Sequence, residues 1–296
     1  MKKFEKSIER ILFASAVLAI LCVFLITFFI FKEGMPILKE YGFFQFIFGK
    51  VWSPANGQYG AFPMIVGSLA VTGRALFIGI PMGIACAVFL AEIAPKPAAK
   101  IFKRAVELLA GIPSVVYGFF GLSVLVPLIR THILPIVQKF DLDASTSGYS
   151  ILAGAIILAV MILPTIINIS EDAIRSVPFE YKEASFALGA SHFETITKVL
   201  LPAAKSGIIS SVVLGMGRAI GETMAVLLIT GNMPKIPHSI LDSVATLTGT
   251  IAMEIGYATP THQKALFAAG IVLFMMIMLL NTIANVMIKC LGGIRK

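Results

Sequence analysis

Polar positions in this chain fall in clusters, and between them lie apolar runs of roughly the twenty residues that a helix needs to cross a bilayer. Ile11 to Phe31 carries no charge, and residues 65–90 carry only Arg74. Further runs cover 111–129, 150–169, 207–231 and 265–288. The third begins at Gly111-Ile-Pro113, where a proline in the first helical turn needs no amide donor. The pattern predicts an all-α integral membrane protein with six transmembrane helices. Residues 32–64, punctuated by Gly34, Pro36, Pro54, Gly57, Gly60 and Pro63, read as an extracytoplasmic loop of no assigned fold. Residues 130–149 and 232–264 read as two more loops on that side. Residues 96–109 mix Lys100, Lys103, Arg104 and Glu107 with Ile101, Phe102, Val106 and Leu109, as an amphipathic surface helix would.

Composition agrees with lipid as the main solvent. Hydrophobic residues make up 57% of the chain and charged residues 14%, against roughly a quarter charged in soluble domains, and mean hydropathy is +0.91. The net charge of +8 has no basic stripe with interleaved aromatics behind it, so nucleic acid is not an expected partner. The cations sort by side instead. The tails at 1–10 and 289–296, with residues 92–107 and 170–205, hold 15 Lys and Arg; the opposite, longer set holds 7. The positive-inside rule then places both termini in the cytoplasm. The first run is too long for a signal-peptide core and is expected to be retained. Cys22, Cys86 and Cys290 have no paired spacing, and four scattered histidines give metal chemistry no support.

The polar interval 170–205 shows local signals for two short helices joined at a corner. Pro178 suits a first helical turn, Gly189 the left-handed end of a helix, and Ser191-x-x-Glu194 a capping box opening the next. Leu201-Pro202 then closes the second helix. This describes either an ordinary cytoplasmic loop or a rigid elbow that passes a push from a soluble partner to the fourth and fifth spans.

Within the fifth span, Arg218 and Glu222 are four apart, so a continuous helix would put them on one face. Arg218 is about eleven residues in from the cytoplasmic end, roughly 16 Å deep. Charges at that depth are costly unless they pair with each other or line an aqueous path. A guanidinium fork suits a tetrahedral oxyanion. Arg74, about nine residues from the outer end of the second span, has three readings: a second positive group on the path, a snorkelling side chain, or a partner for Glu222 or Glu92. Ser114 and Thr223 are candidate pathway hydroxyls, although such groups usually bond to their own backbone. Gly215-x-Gly217-Arg-Ala-Ile-Gly221 has the wrong spacing for a nucleotide fingerprint and fits close helix packing.

The order Glu183-Ala184-Ser185, Gly189, Val199, Leu201-Pro202 resembles the EAA loop of ABC-importer permeases, with Ser for the second Ala and Val for a common Ile. The six-span layout is similar to the type I (MetI-like) permease fold. That resemblance implies that Glu183 to Gly189, with Ser191, Glu194, Leu201 and Pro202, form a coupling helix seated on an ATPase. Trp52-Ser-Pro54 with Tyr59-Gly60, Glu107 to Gly118, and Gly217-Arg-Ala-Ile-Gly-Glu-Thr-Met-Ala225 resemble the permeases of phosphate-specific (Pst) importers. Gly-Glu-Thr-Met-Ala looks like the PstC form rather than the PstA form. The resemblance implies a phosphate pathway through Arg218 and Glu222 in a cell membrane. It also implies a PstA-like permease partner, two PstB-like ATPase subunits and a PstS-like phosphate-binding protein. No Gly-x-x-x-x-Gly-Lys-[Ser/Thr] loop is present, so ATP and Mg are expected on the partner ATPase, with no cofactor in this chain. Three alternatives stand beside this reading. They are a permease for sulfate, molybdate or tungstate, a gradient-driven carrier, which predicts internal repeats with broken helices that the sequence does not show, and an intramembrane enzyme, for which no nucleophile, base or metal cluster is apparent.

Overall fold

The computed structural model describes residues 2–137 and 147–291. Among the described residues five helices are long and apolar enough to cross a membrane, and the sixth expected span is interrupted. The first helix runs Lys2–Tyr41, so residues 32–41 continue the span where a loop was expected. Amphipathicity explains the extension. Gly34, Ile37 and Leu38 are buried while Lys32, Lys39 and Glu40 point outward or sit at the margin. The first helix packs on the last, Pro260–Leu291, with Gly34 against Phe267 and Ala268 and edge-on contacts of Phe29 with Phe267 at 5.5 Å and Phe31 with Phe274 at 6.1 Å.

The second helix, Phe62–Val88, lies along the fourth, Ile151–Arg175, and this pair is the frame of the bundle. Val71, Ala75, Ile157, Leu158, Ile162 and Ile166 fill the seam, and Ala219 and Val226 of the fifth span close it from the other side. The third span extends over Ser114–Val137, beyond the expected end at 129. It contains two wide π turns, Gly121–Leu125 and Ile129–Ile133. Its Arg130 donates from Nε and Nη2 to the Ser147 carbonyl at 2.9 and 2.6 Å. The part of the second loop with Lys139, Asp141 and Asp143 lies outside the described residues, as does the tail with Arg295 and Lys296.

Two other expectations need correction. The fifth span is not one helix over 207–231. It runs Lys205–Gly221, passes through Glu222 in an extended conformation (φ −66°, ψ 132°), and resumes as Met224–Ile229. The broken-helix feature unseen in the sequence is therefore present here. Nor are residues 232–264 simply a loop: 241–250 are buried without exception, and Thr246 caps a helix over Leu247–Glu254 by accepting from the Gly249 amide at 3.2 Å. Ser243 and Thr248 can be buried because the Tyr149 and Glu222 carbonyls accept from their hydroxyls, and Thr246 because its hydroxyl accepts from the Gly249 amide. Close approach admits this segment: a methyl at Gly67 would lie 2.2 Å from the Ala245 carbonyl oxygen.

The stretch left without a fold forms a small hairpin, Trp52–Ser53 paired with Gln58–Tyr59. It is anchored where Trp52 Nε1 donates to Glu254 Oε2 at 3.0 Å, with His262 Nε2 2.7 Å from the same oxygen. At the opposite end of the bundle, the amphipathic helix Lys96–Gly111 is fastened by Lys103, 3.2 Å from the buried Glu171 carboxylate but outside hydrogen-bond geometry. Arg175 holds the other oxygen of Glu171 at 2.8 Å.

Candidate functional site

The elbow forms as its local signals require. Its first helix spans Phe179–Ala187, with Pro178 immediately before it. Gly189 has φ +84°, a conformation that L side chains rarely adopt. Ser191 then caps the second helix. Its Oγ accepts from the Glu194 amide at 3.3 Å, and Glu194 Oε2 accepts from the Ser191 amide at 3.1 Å. Lys198 Nζ lies 3.0 Å from Glu194 Oε1. Hydrogen bonds from Lys198 and then from the Ser191 amide and hydroxyl hold the Glu194 carboxyl down at about 2. The second helix continues through a π turn to Ala203 and meets the fifth span at a bend of 69°, with Leu201 and Pro202 in the turn.

Ser185, where the resembled loop has Ala, is buried and fixes the corner. Thr195 donates its hydroxyl to the Ser191 carbonyl at 3.0 Å, so the Ser185 hydroxyl, 2.9 Å away, donates to Thr195 Oγ1. Glu183 and Ala184 are exposed on the outer side. Leu188 is 89% and Phe193 74% exposed, beside an open groove of about 580 Å³ that Tyr181, Ala184, Leu188, Gly189 and Val199 help to line. A protein surface rarely leaves so large an apolar ridge uncovered unless something docks there.

In the membrane, Arg218 and Glu222 do not form the expected same-face pair, because the helix ends between them. Among the described residues Arg218 has no ion-pair or hydrogen-bond partner; it is exposed on the face toward Tyr117 of the third span. Glu222 turns the other way. Its Oε1 accepts from the Ala225 amide at 3.2 Å, starting the upper half-helix, and its carbonyl accepts from the Thr248 hydroxyl at 2.9 Å. Thr223 bonds to its neighbour, donating to the Gly221 carbonyl at 3.2 Å. Arg74 reaches neither Glu222 nor Glu92: its Nη1 donates to the Ala70 carbonyl of its own helix at 3.0 Å. Ser114 opens the third span, half-buried.

Beside the break is a narrow cavity of about 10 Å³, barely the space of one water, lined by Glu222, Ser68, Thr72, Thr246 and Thr248 among apolar residues. Sequence reasoning missed the four hydroxyl residues. The alternation of Thr246, Thr248 and Thr250 in an otherwise apolar stretch is the signal that could have found them.

Residues 79–292 match the family described as binding-protein-dependent transport system inner membrane component. The chain belongs to that family.

As a binding-protein-dependent permease it is a multi-pass membrane transport component, not an enzyme, and it works with separate ATP-hydrolysing and substrate-binding partners. It is 42% identical to the probable ABC transporter permease protein YqgH of Bacillus subtilis over 90% of this chain and 85% of that one. It is 35% identical to the phosphate transport system permease protein PstC of Mesorhizobium japonicum, covering 93% of this chain and 87% of the relative. With PstC of Haemophilus influenzae the identity is 34%, over 94% and 90%. Among solved structures, a bacterial alginate ABC transporter chain superposes with TM-score 0.59 at 20% identity, over 94% of this permease and 95% of that chain. An inward-facing MetNI methionine transporter chain does so with TM-score 0.57 at 18% identity, over 76% and 93%. Both share the type I importer fold.

Proposed function

We propose that this chain is the PstC-like permease subunit of an ATP-driven importer of inorganic phosphate. The observation that carries the reading is the likeness to PstC permeases along nearly the whole of both chains. The geometry is consistent with it. An unpaired guanidinium exposed within a span is expensive in hydrocarbon, so Arg218 needs both a covering partner and an anion or water to face. A PstA-like second permease would cover it, and the desolvated oxyanion would meet it in passage. Glu222, held at the break by Ala225 and Thr248, would limit how tightly the anion is retained.

The tails, the amphipathic helix and the elbow would face the cytoplasm, following the cation count. Two PstB-like ATPases would then seat on Leu188, Phe193 and the Glu183 face of the elbow, and bind the ATP and Mg. A PstS-like protein would deliver phosphate at the hairpin end. Arg74, occupied by its own backbone, would stay outside the anion path, with Ser114 and Thr223 as secondary lining groups.

The test is uptake by the full complex in proteoliposomes. ATP-dependent accumulation of radiolabelled phosphate, not diminished by excess sulfate, molybdate or tungstate, is expected. Accumulation of one of those anions in preference to phosphate would overturn the substrate, and accumulation without ATP would overturn the energy source.

A further inference from the structure

The elbow's first helix, Phe179–Ala187, packs chiefly on the elbow's own second half and makes little direct contact with the bundle. The second half leads into the fifth span through the chain itself. The first helix leads back through residues 176–178 into the fourth span and, among the described residues, has one charged tie to a span that it does not adjoin in sequence. The second span ends in a π turn over Phe89–Ile93, and the Glu92 carboxylate there forms an ion pair with Lys182, the residue before Glu183. The same oxygen lies 4.0 Å from Nε2 of His192, which opens the second elbow helix. Glu92 is only 10% exposed and Lys182 23%, so water screens this link less than it screens a surface pair. At its other end the second span carries Ser68 and Thr72 to the cavity beside Glu222.

The geometry points to Glu92 as a positioning residue that transmits elbow movement to the second span. The carboxylate holds the first arm of the elbow through Lys182 and lies beside the start of the second. A push on the elbow therefore reaches the bundle along the chain into the fourth and fifth spans, and through Glu92 directly into the second. Without the Glu92 tie the elbow could move while the second span followed it only through packing on the fourth. The ATPase would then turn over with little transport. This inference rests on the ATP-coupled reading above.

The test uses the full complex in proteoliposomes. It compares wild type, Glu92→Gln, Glu92→Asp, Lys182→Glu, and the charge swap Glu92→Lys with Lys182→Glu. Phosphate uptake and ATP hydrolysis are measured together. A spin label is placed at Phe77→Cys, an 82% exposed position on the second span, in a background without the native cysteines. Glu92→Gln is expected to keep hydrolysing ATP, to move about tenfold less phosphate per ATP, and to lose the ATP-dependent change at the label. Glu92→Asp and the charge swap should recover most of both, which a general loss of folding would not allow.

Wild-type phosphate-to-ATP ratio and label response in Glu92→Gln would overturn the relay. So would a swap as defective as Lys182→Glu alone. A wild-type label that responds to ATP without phosphate uptake would sink the substrate assignment and leave the relay readable at the label. A label indifferent to ATP in a complex that does take up phosphate would sink the relay alone.

Discussion

The hydroxyl of Thr248 donates to the main-chain carbonyl of Glu222 at 2.9 Å, joining two positions 26 residues apart in the chain. The carbonyl belongs to the residue at which the fifth helix stops, where no helical amide follows to donate to it. A side chain from the buried outer segment supplies the missing partner, so the break is built rather than frayed. Thr248→Val removes the donor and nearly preserves shape. It should cost about 1–3 kcal/mol and lower uptake several-fold, and Thr248→Ser should recover it. Equal transport by the valine and serine variants would remove Thr248 from the account of the break.

Arg218 is exposed and unpartnered among the described residues. Arg218→Ala should therefore abolish uptake while the complex still co-purifies and hydrolyses ATP. Arg218→Lys should recover only part of it, because an ammonium lacks the planar fork. Normal uptake by the alanine variant would exclude this residue from the anion path.

Leu188 and Phe193 stand out from the elbow at 89% and 74% exposure. Single cysteines at these positions, with the native cysteines replaced, should crosslink to the ATPase subunit, and changes there should weaken assembly rather than fold. If neither position crosslinks under any nucleotide condition, the ATPase docks elsewhere.

The Glu194 carboxyl, at about 2, lies below its ordinary 4.5. A depressed carboxyl contributes stability above its unfolded value and loses it as pH falls through the folded one. The cap at Ser191 should hold at pH 5 and above and weaken between about pH 4.5 and 2. Hydrogen exchange of peptides covering 190–198, corrected for intrinsic rates, should show this loss. Glu194→Gln should remove the dependence, because glutamine keeps a capping geometry without a proton to gain. The same acid loosening in the glutamine variant would assign it to another group.

A methyl at Gly67 would sit 2.2 Å from a backbone oxygen, whereas one at Gly73, two turns along the same helix, meets nothing within 4 Å. Gly67→Ala should destabilise the permease by about 3 kcal/mol or more, and Gly73→Ala should be neutral or stabilise by about 0.5–1 kcal/mol. Thermal unfolding in detergent should separate them. Matching midpoints would mean that the outer segment does not pack where Ala245 now lies.

The chain by itself determined whatever depends on neighbours a few residues apart. Apolar run length marks the spans, because lipid rewards twenty consecutive apolar residues wherever they occur. Ser191, Glu194 and Gly189 define the elbow, because a capping box and a left-handed turn are closed within four residues. Only the tertiary structure decided what depends on distant partners. Glu222 leaves the helix because Thr248 is there to take its carbonyl, and residues 241–250 are buried because Gly67 lets them approach. Ser185 locks the elbow through Thr195, and Glu92 chooses Lys182 over the nearer-seeming Arg74. No local pattern encodes these choices, since a hydroxyl or a carboxylate looks the same in sequence whichever backbone group or cation the fold brings beside it.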